Sequence, residues 1–415
     1  MAGEVEPTDI TGMKKKYRER SEGDFPEVFN ITLKKAFEGD KKYGENPNQQ
    51  CATYVIDTIN ERFVGRIAEL VNLRPVVEGK GGLSLTNEMD IARAMDTLKF
   101  FRDRVVRDGL ALVIMKHNIV SAFAGKSKPG QTQADLFRVG RDADRRSNMG
   151  GTVVSTQYLD METARAMFEL KGQSAYFPDV VAFMGYDEGV VGYLQKARKE
   201  LRIAEFSSLD ALPRFQGDDP QGLISIKEMP GGRVGIQDIY LPSIKSAEDF
   251  ALRPKWVDEE TGDEYVVDRV PTEDEQRDLL TAWYLNVAGA RSNGLVAVRD
   301  CVSVAMGSGQ VERIGAIEQM IVKGMQKAMD REGVKYDPLM GIQGWEQLKD
   351  NPFKGAAVSS DAFTPFRDSY DTLARVGVSA VAQPFGSKRD GETIQAANEH
   401  NMATVATLER CFGHW

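Results

Sequence analysis

Leu110 to Asn118 reads LALVIMKHN, six apolar residues without a break and then Lys116-His117. A half-exposed strand would show a polar residue at every second position, so an unbroken run marks a strand buried on both faces. The segment before it, Thr86 to Val105, predicts an amphipathic helix. Thr86 can cap it, and Ile91, Met95, Leu98, Phe101 and Val105 recur three or four residues apart before Asp108-Gly109. A helix leading into a continuous apolar strand is the pattern of a parallel sheet covered on both sides. The expected class is α/β.

The pattern recurs along the chain. Thr163 to Leu170 and Gly189 to Leu201 predict helices, with a strand over Val180 to Met184. Residues 206–275 differ: "QGDDPQG", "EMPGGRVG" and "VDEETGDEY" are charged and rich in turn formers. Beyond them, "EDEQRDLLTAWYLNVAGA" predicts a helix and "LVAVRDCVSVAM" two short strands about a tight turn. Gly307-Ser308-Gly309 opens a long helix that carries Ile314, Ile317, Ile321 and Met325 on one face. Strands are then expected at Ala356–Ser359, Val378–Gln383 and Met402–Ala406, with helices between them. This divides the chain into an N-terminal segment (1–24), a first lobe (25–205), a connecting region (206–275) and a second lobe (276–415).

Composition narrows the function classes. No apolar run approaches the ~20 residues of a membrane span, and the first residues, MAGEVEPTDITGMKKKYRERSEGDF, are too polar for a secretory leader. Cys51, Cys301 and Cys411 lie far apart, which is neither a disulfide framework nor a metal-ligand spacing. A cytoplasmic protein is expected. The net charge of −9 argues against nucleic acid as a partner, because binding the phosphate backbone needs a basic footprint. A small anion still suits a pocket in which a few bases are concentrated.

In open α/β sheets, ligands bind beyond the carboxyl ends of strands, and Lys116-His117 is expected at such an end. A fixed positive charge beside a group titrating near neutrality can move a proton and stabilise an anion together. The alternative is a solvated lysine and a histidine that satisfies a loop carbonyl. Four further segments bear on the choice. They are "KKYGENPNQQ" (Lys41 to Gln50), "GARSNGLVAV" followed by "GSGQVERIG" (Gly289 to Gly315), "SSDAFTPFRDSYD" (Ser359 to Asp371) and the terminal "ERCFGHW" (Glu409 to Trp415).

Together these resemble the AICAR transformylases, the formyltransferase half of the bifunctional purine-biosynthesis enzyme. The matches run in order from about Phe25 to His414. The resemblance implies two lobes, each a three-layer α/β/α unit similar to the cytidine deaminases. It implies formyl transfer from 10-formyltetrahydrofolate to the exocyclic amine of AICAR in purine biosynthesis. It also implies a homodimer whose sites use residues of both subunits. With about two dozen residues ahead of "FPEVFNITLKK", the chain resembles a free-standing transformylase, with ring closure to IMP left to another protein.

By the same resemblance His117 accepts a proton, and Lys116 stabilises the transition state or protonates the departing folate nitrogen. Asn293 bonds the formyl oxygen or the substrate amine, and His414 matches the second of two terminal histidines. Lys42, Tyr43, Gly150, Asp179, Arg313, Phe363 and Arg410 match positions that hold the nucleotide. A phosphomonoester suits fixed cations, and an aromatic face suits a planar imidazole. Asp368 matches the carboxylate that takes the pterin edge, and Ile314 (through its backbone), Ser387 and Lys388 match the rest of the folate site. The chain departs from the pattern at Lys42 (usually Arg), Asn48 (His), Asn118-Ile119 (Asn-Pro in many members), Ser369 (Asn) and Gly413 (His). Each change spares the charge or the proton-handling group.

Three rivals fare less well. A zinc deaminase needs H-x-E and P-C-x-x-C, but His117 is followed by Asn118-Ile119 and no two cysteines are close in sequence. "AGKSKPG" around Lys126 lacks the first glycine of a P-loop, since position 120 is Val. A regulatory paralogue that only binds a purine nucleotide needs no Lys116, His117 and Asn293 in concert. The expected chemistry therefore calls for neither metal nor ATP, and it leaves room for a bound monovalent cation.

Overall fold

Ala111–Lys116 is a strand, but both of its neighbours run antiparallel to it. It pairs with Ile119–Gly125 on one side and with Thr152–Ser155 on the other. Lys116 sits opposite Ile119, which leaves His117-Asn118 as a two-residue turn with φ of 54° and 62°. Positive φ at both central residues marks the mirror-image turn whose twist matches a hairpin. The expected parallel setting and open strand end are thus replaced by a closed hairpin. An apolar run reports burial on two faces, and burial does not encode strand direction.

The computed structural model describes residues 5–16, 25–63, 67–103, 105–172, 175–290, 292–336 and 343–414. From Thr152–Ser155 the first lobe continues through Val180–Phe183 and Arg202–Glu205, parallel to one another, to an antiparallel edge strand, Arg74–Val77. The second lobe repeats the plan. Leu295–Arg299 and Val302–Gly307 form a hairpin, with Asp300 and Cys301 in its turn at φ of 55° and 60°. Ala357–Ser360 pairs antiparallel with the first of these strands, and Ala380–Gln383 and Ala403–Ala406 follow in parallel. The outer strands of the two hairpins meet antiparallel at Ala124 and Val302, which fuses the lobes into one eleven-stranded sheet.

The helices cover this sheet unequally. Leu85–Leu98 and Glu273–Gly289 lie on one face, and Arg93 donates to the Ala288 carbonyl at 3.1 Å. Here a single core spans both lobes. Phe100 stacks on Tyr284 at 4.7 Å, Phe101 meets Phe123 at 4.4 Å, and Trp283 is fully buried. The opposite face has a core for each lobe, beneath Gln133–Ala143 in the first and Arg313–Glu332 in the second. Gly307 lets the second of these helices approach closely, because a Cβ there would lie 1.9 Å from the Ala316 carbonyl oxygen.

Several boundaries differ from expectation. The first helix is capped by Ser84, which exchanges hydrogen bonds with Asn87, and not by Thr86. It ends at Leu98, and a short 3₁₀ turn, Lys99–Phe101, swings two phenylalanines into the core. The helix expected over Thr163 to Leu170 is Met161–Ala166, capped by Asp160. Within 206–275, Ile224–Met229 and Arg233–Asp238 form a hairpin, and Pro254–Val257 pairs with Glu264–Val266. Thr8–Asp9 adds a parallel strand to that second pair. Ile10 and Met13 then join Phe385, Ile394 and Ala406 in a cluster of the second lobe. Residues 17–24 of the N-terminal segment lie outside the described residues. Ile31–Lys41, Cys51–Ile59 and Arg62–Phe63 form a small sheet apart from the large one. Among the described residues no helix is long and apolar enough to cross a membrane.

Candidate functional site

The strand registers place the expected residues along one end of the large sheet. Lys116 and His117 close the first hairpin there, and Thr152, Val180 and Arg202 begin their parallel strands beside it. Asp179 immediately precedes one of those starts, and Gly150 stands two residues before another. On the second lobe, Leu295 stands opposite both Gly307 and Ser360, so Asn293 and Phe363 flank strand ends at this same end. Ala380–Gln383 and Ala403–Ala406 also finish here, which brings up Ser387, Lys388, Arg410 and His414. The second lobe thus offers the carboxyl ends of its parallel strands, and the first offers the amino ends of its own.

The first-lobe group is laced together. Lys116 Nζ donates to the Met149 carbonyl at 2.8 Å, which ties it to the turn at Gly150. Gly150 has φ of 73° and donates its N–H to Phe177, while the Asp179 N–H bonds the Gly151 carbonyl. Lys42 and Tyr43 share a cavity of about 660 Å³ with Asp179, Lys80, Arg198 and Arg202. Arg202 donates to Asp179 at 3.1 Å, so this acid already has a cation. The neighbouring Lys41 is buried against Glu88 at 2.5 Å and leaves Lys42 as the exposed base of the pair.

The second-lobe group is organised around Asp361, which is 1 % exposed. Arg313 donates to its Oδ1 at 2.6 Å and the Ser292 hydroxyl donates to its Oδ2 at 2.6 Å. Its carbonyl accepts from Cys411, and Ser292 donates its N–H to Gly413. Asn293 follows a cis peptide bond, and its Nδ2 donates to the Gln310 carbonyl at 2.8 Å. The Arg313 guanidinium is buried, and its Nη1 also reaches the Gly294 carbonyl at 3.3 Å. Within this chain Arg313 clamps the loops that carry Asn293 and Phe363. A bare sequence shows the arginine and not the acid it meets.

The remaining positions spread along the same edge. Phe363 is half-buried, and Thr364 beside it is pinned by the Gln383 side chain at 2.7 Å. Ile314 stands in the first turn of its helix, where Glu312 supplies no side-chain cap. Asp368 opens Asp368–Arg375 and is exposed. Ser387 and Gly386 donate their N–H groups to buried Asp390, which shapes the turn that leaves Lys388 exposed. Arg410 lies over the Phe412 ring at 4.6 Å, and the rings of Phe412 and His414 meet edge-on at 6.0 Å.

Lys116 and Asn293 do not converge within one chain. Two strands, Ile119–Gly125 and Val302–Gly307, separate theirs in the sheet order. Three strand spacings come to about 14 Å. The two intervening strands pair only at Ala124 and Val302, near the far end. At the near end a cavity of about 280 Å³ opens between them, lined by Lys116, His117, Val120, Met306, Lys323 and Lys327.

Three residues of the site escaped the sequence reading: Asp361, Lys80 and Asp90. Asp90 accepts the Asn118 N–H at 2.6 Å, and burial pushes its carboxyl above the usual carboxylate range against the pull of the turn's N–H groups. A sequence signal existed for it. Asp90 lies on the buried stripe with Ile91, Ala94 and Leu98, where an unpaired acid is out of place.

Two like-folded lobes, sharing a sheet with a Lys-His hairpin turn at one end of its central strands, define a mixed α/β protein with basic residues gathered along that sheet end. The chain belongs to the AICARFT/IMPCHase bienzyme family, whose model matches residues 10–323. It is similar to the bifunctional purine biosynthesis protein PurH of Persephonella marina, 30% identical over 390 residues, and of Magnetococcus marinus, 31% identical over 395. Each match covers 94% of this chain and 62% of the relative. The chain therefore spans under two thirds of the length of these relatives.

Proposed function

We propose that this protein transfers a formyl group from 10-formyltetrahydrofolate to the exocyclic amine of AICAR, giving FAICAR and tetrahydrofolate in purine biosynthesis. The observation that carries the reading is the gathering of Lys116-His117, Gly150 and Asp179, with Asn293, Phe363, Ser387 and Arg410, along one end of one sheet, in a chain of this family.

The substrate amine is conjugated with the imidazole and its carboxamide and is a weak nucleophile. It must lose a proton as it attacks, an oxyanion forms on the formyl carbon, and the departing folate nitrogen must gain a proton. His117 takes the proton from the nucleophile, and Lys116 stabilises the oxyanion or supplies the leaving nitrogen's proton. General acid–base help of this kind is worth roughly 10²–10⁴ in rate. Lys42, Tyr43 and Arg410 hold the nucleotide, Phe363 covers its base, and Asp368, Ser387, Lys388 and the Ile314 backbone hold the folate. His414 stands beside Arg410 as a further proton-handling group.

Because Lys116 and Asn293 stand about 14 Å apart or more along the sheet, the reading requires a second copy. One subunit supplies Lys42, Lys116 and His117, and its partner supplies the second-lobe group. Apolar side chains left open on the small sheets suit such a contact. Phe37 is 81 % exposed, Leu33 53 % and Val234 54 %. The test is tetrahydrofolate release, followed spectroscopically with AICAR and 10-formyltetrahydrofolate and repeated without AICAR. Release that depends on AICAR is the expected result. Folded protein that gives none in the complete mixture overturns the proposal in favour of a non-catalytic nucleotide binder.

A further inference from the structure

We propose that Asp90 is the positioning residue of the Lys116-His117 turn, acting on the reaction through the backbone of Asn118, next to His117, without touching substrate. The proposal rests on the formyl-transfer reading above. Asp90 is 8 % exposed and stands on Leu85–Leu98, the helix that packs beneath the first hairpin. Its Oδ1 takes the Asn118 N–H at 2.6 Å. The His117 N–H and the Thr152 hydroxyl also favour the charged form of this carboxylate. One buried acid therefore anchors the turn through the Asn118 amide.

The turn needs such a partner. His117 and Asn118 both lie in the left-handed region, at φ of 54° and 62°. That region is disfavoured for residues with a Cβ. Neither position is glycine, so the turn is held by what its amides meet. A charged acceptor on a rigid helix bonds more strongly than a neutral one would. With the amides fixed, the directions of the Lys116 and His117 side chains are fixed relative to the sheet end.

The second lobe supplies an internal comparison. Asp278 stands six residues after the cap Thr272, as Asp90 stands six after Ser84. It takes the Asp300 and Cys301 N–H groups at 2.8 and 2.7 Å, in a turn with the same pair of positive φ angles. The lobes run in opposite senses, so this second turn lies at the other end of the sheet from Asn293 and His117. Its basic residue, Arg299, is bonded to Asp350 and the Asn351 carbonyl. The acid-on-turn device is thus built twice, and in the first lobe alone it supports groups placed for chemistry.

The test compares Asp90→Asn and Asp90→Ala with Asp278→Asn in the full chain, with three readouts. Stability comes from the denaturant midpoint. The second is kcat and KM for formyl transfer. The third is the Cε1–H signal of His117 in a proton–carbon correlation spectrum, identified by its loss in His117→Ala. With three histidines in the chain, the signals separate readily. Asp90→Asn and Asp278→Asn should lose comparable stability. Asp90→Asn alone should lower kcat, on the order of 10²-fold for a displaced catalytic group, with KM for AICAR little changed and the His117 signal moved. If Asp90→Asn keeps wild-type kcat and an unmoved His117 signal, or if Asp278→Asn loses kcat equally, the proposal is overturned. Should the wild type transfer no formyl group, the formyl-transfer reading fails, and the His117 signal still decides whether Asp90 sets the turn. Asp90→Asn keeps the shape of the side chain, so an Asp90→Ala variant that does not fold leaves the test intact.

Discussion

Lys116 and Asn293 stand at the same end of one sheet, with Ile119–Gly125 and Val302–Gly307 between their strands. The two strands between them diverge toward that end. On the proposed reading these are two half-sites that face the same way, set about 14 Å apart by the intervening strands. The proposed completion of each site by a second copy, and the residues at each half, have measurable consequences.

His117→Ala should lower turnover at least about 100-fold if the imidazole takes the proton. The side chain is exposed at a turn, so the thermal midpoint should stay close to that of the wild type. Single-turnover kinetics and a melting curve on the same preparation check both halves. Wild-type turnover from this variant would remove His117 from the chemistry.

The Arg313–Asp361 pair should behave as a buried ion pair. Removing one partner leaves the other charged, buried and unpaired, which costs about 3–5 kcal/mol. Asp361→Ala also frees Ser292, so its cost should lie toward the upper end, and Arg313→Ala should follow it closely. Chemical denaturation of each single variant and of the double variant measures the coupling. Near-additive losses would contradict the clamp.

Acid should weaken the second-lobe helix cap in a definite window. Burial pushes the Glu275 carboxyl up, but hydrogen bonds from Arg269 and the Thr272 N–H outweigh it and hold the group at about 2, against 4.5 for a free glutamate. A group whose folded pKa is depressed stabilises the fold above its unfolded pKa, and that contribution is lost as pH falls toward the folded one. Glu275→Gln should therefore cost about 3 kcal/mol at pH 7. The difference from wild type should shrink between pH 4.5 and 2. A difference that stays constant over that window would contradict the assignment.

Much of the fold was legible locally and little of it globally. The run Leu110–Met115 marked its strand, and Leu295 to Met306 showed two strands about a tight turn, because turn formers and apolar runs are local signals. Strand direction was not legible, since a strand buried on both faces carries no mark of its neighbours' sense. Ser84 outranked Thr86 as the cap because the cap is set by which hydroxyl reaches Asn87, a matter of geometry one turn long. The lacing of Asp361 to Arg313, 48 residues apart, and of Asp90 to Asn118, 28 apart, is a product of the sheet order and leaves no spacing in the sequence. The family motifs pointed to residues at one sheet end and passed over the buried acids that hold their loops.

The most direct test of a site built from two copies is subunit complementation. His117→Ala and Asn293→Ala chains, each inactive alone, are unfolded and refolded together in equal amounts, and formyl transfer is measured. In a mixed dimer, one site collects both substitutions and the other collects neither. About half of the dimers are mixed, so about a quarter of wild-type activity should return. Activity that stays at the level of the separate variants, from mixtures shown to contain mixed dimers, would contradict a site shared between Lys116-His117 of one subunit and Asn293 of another.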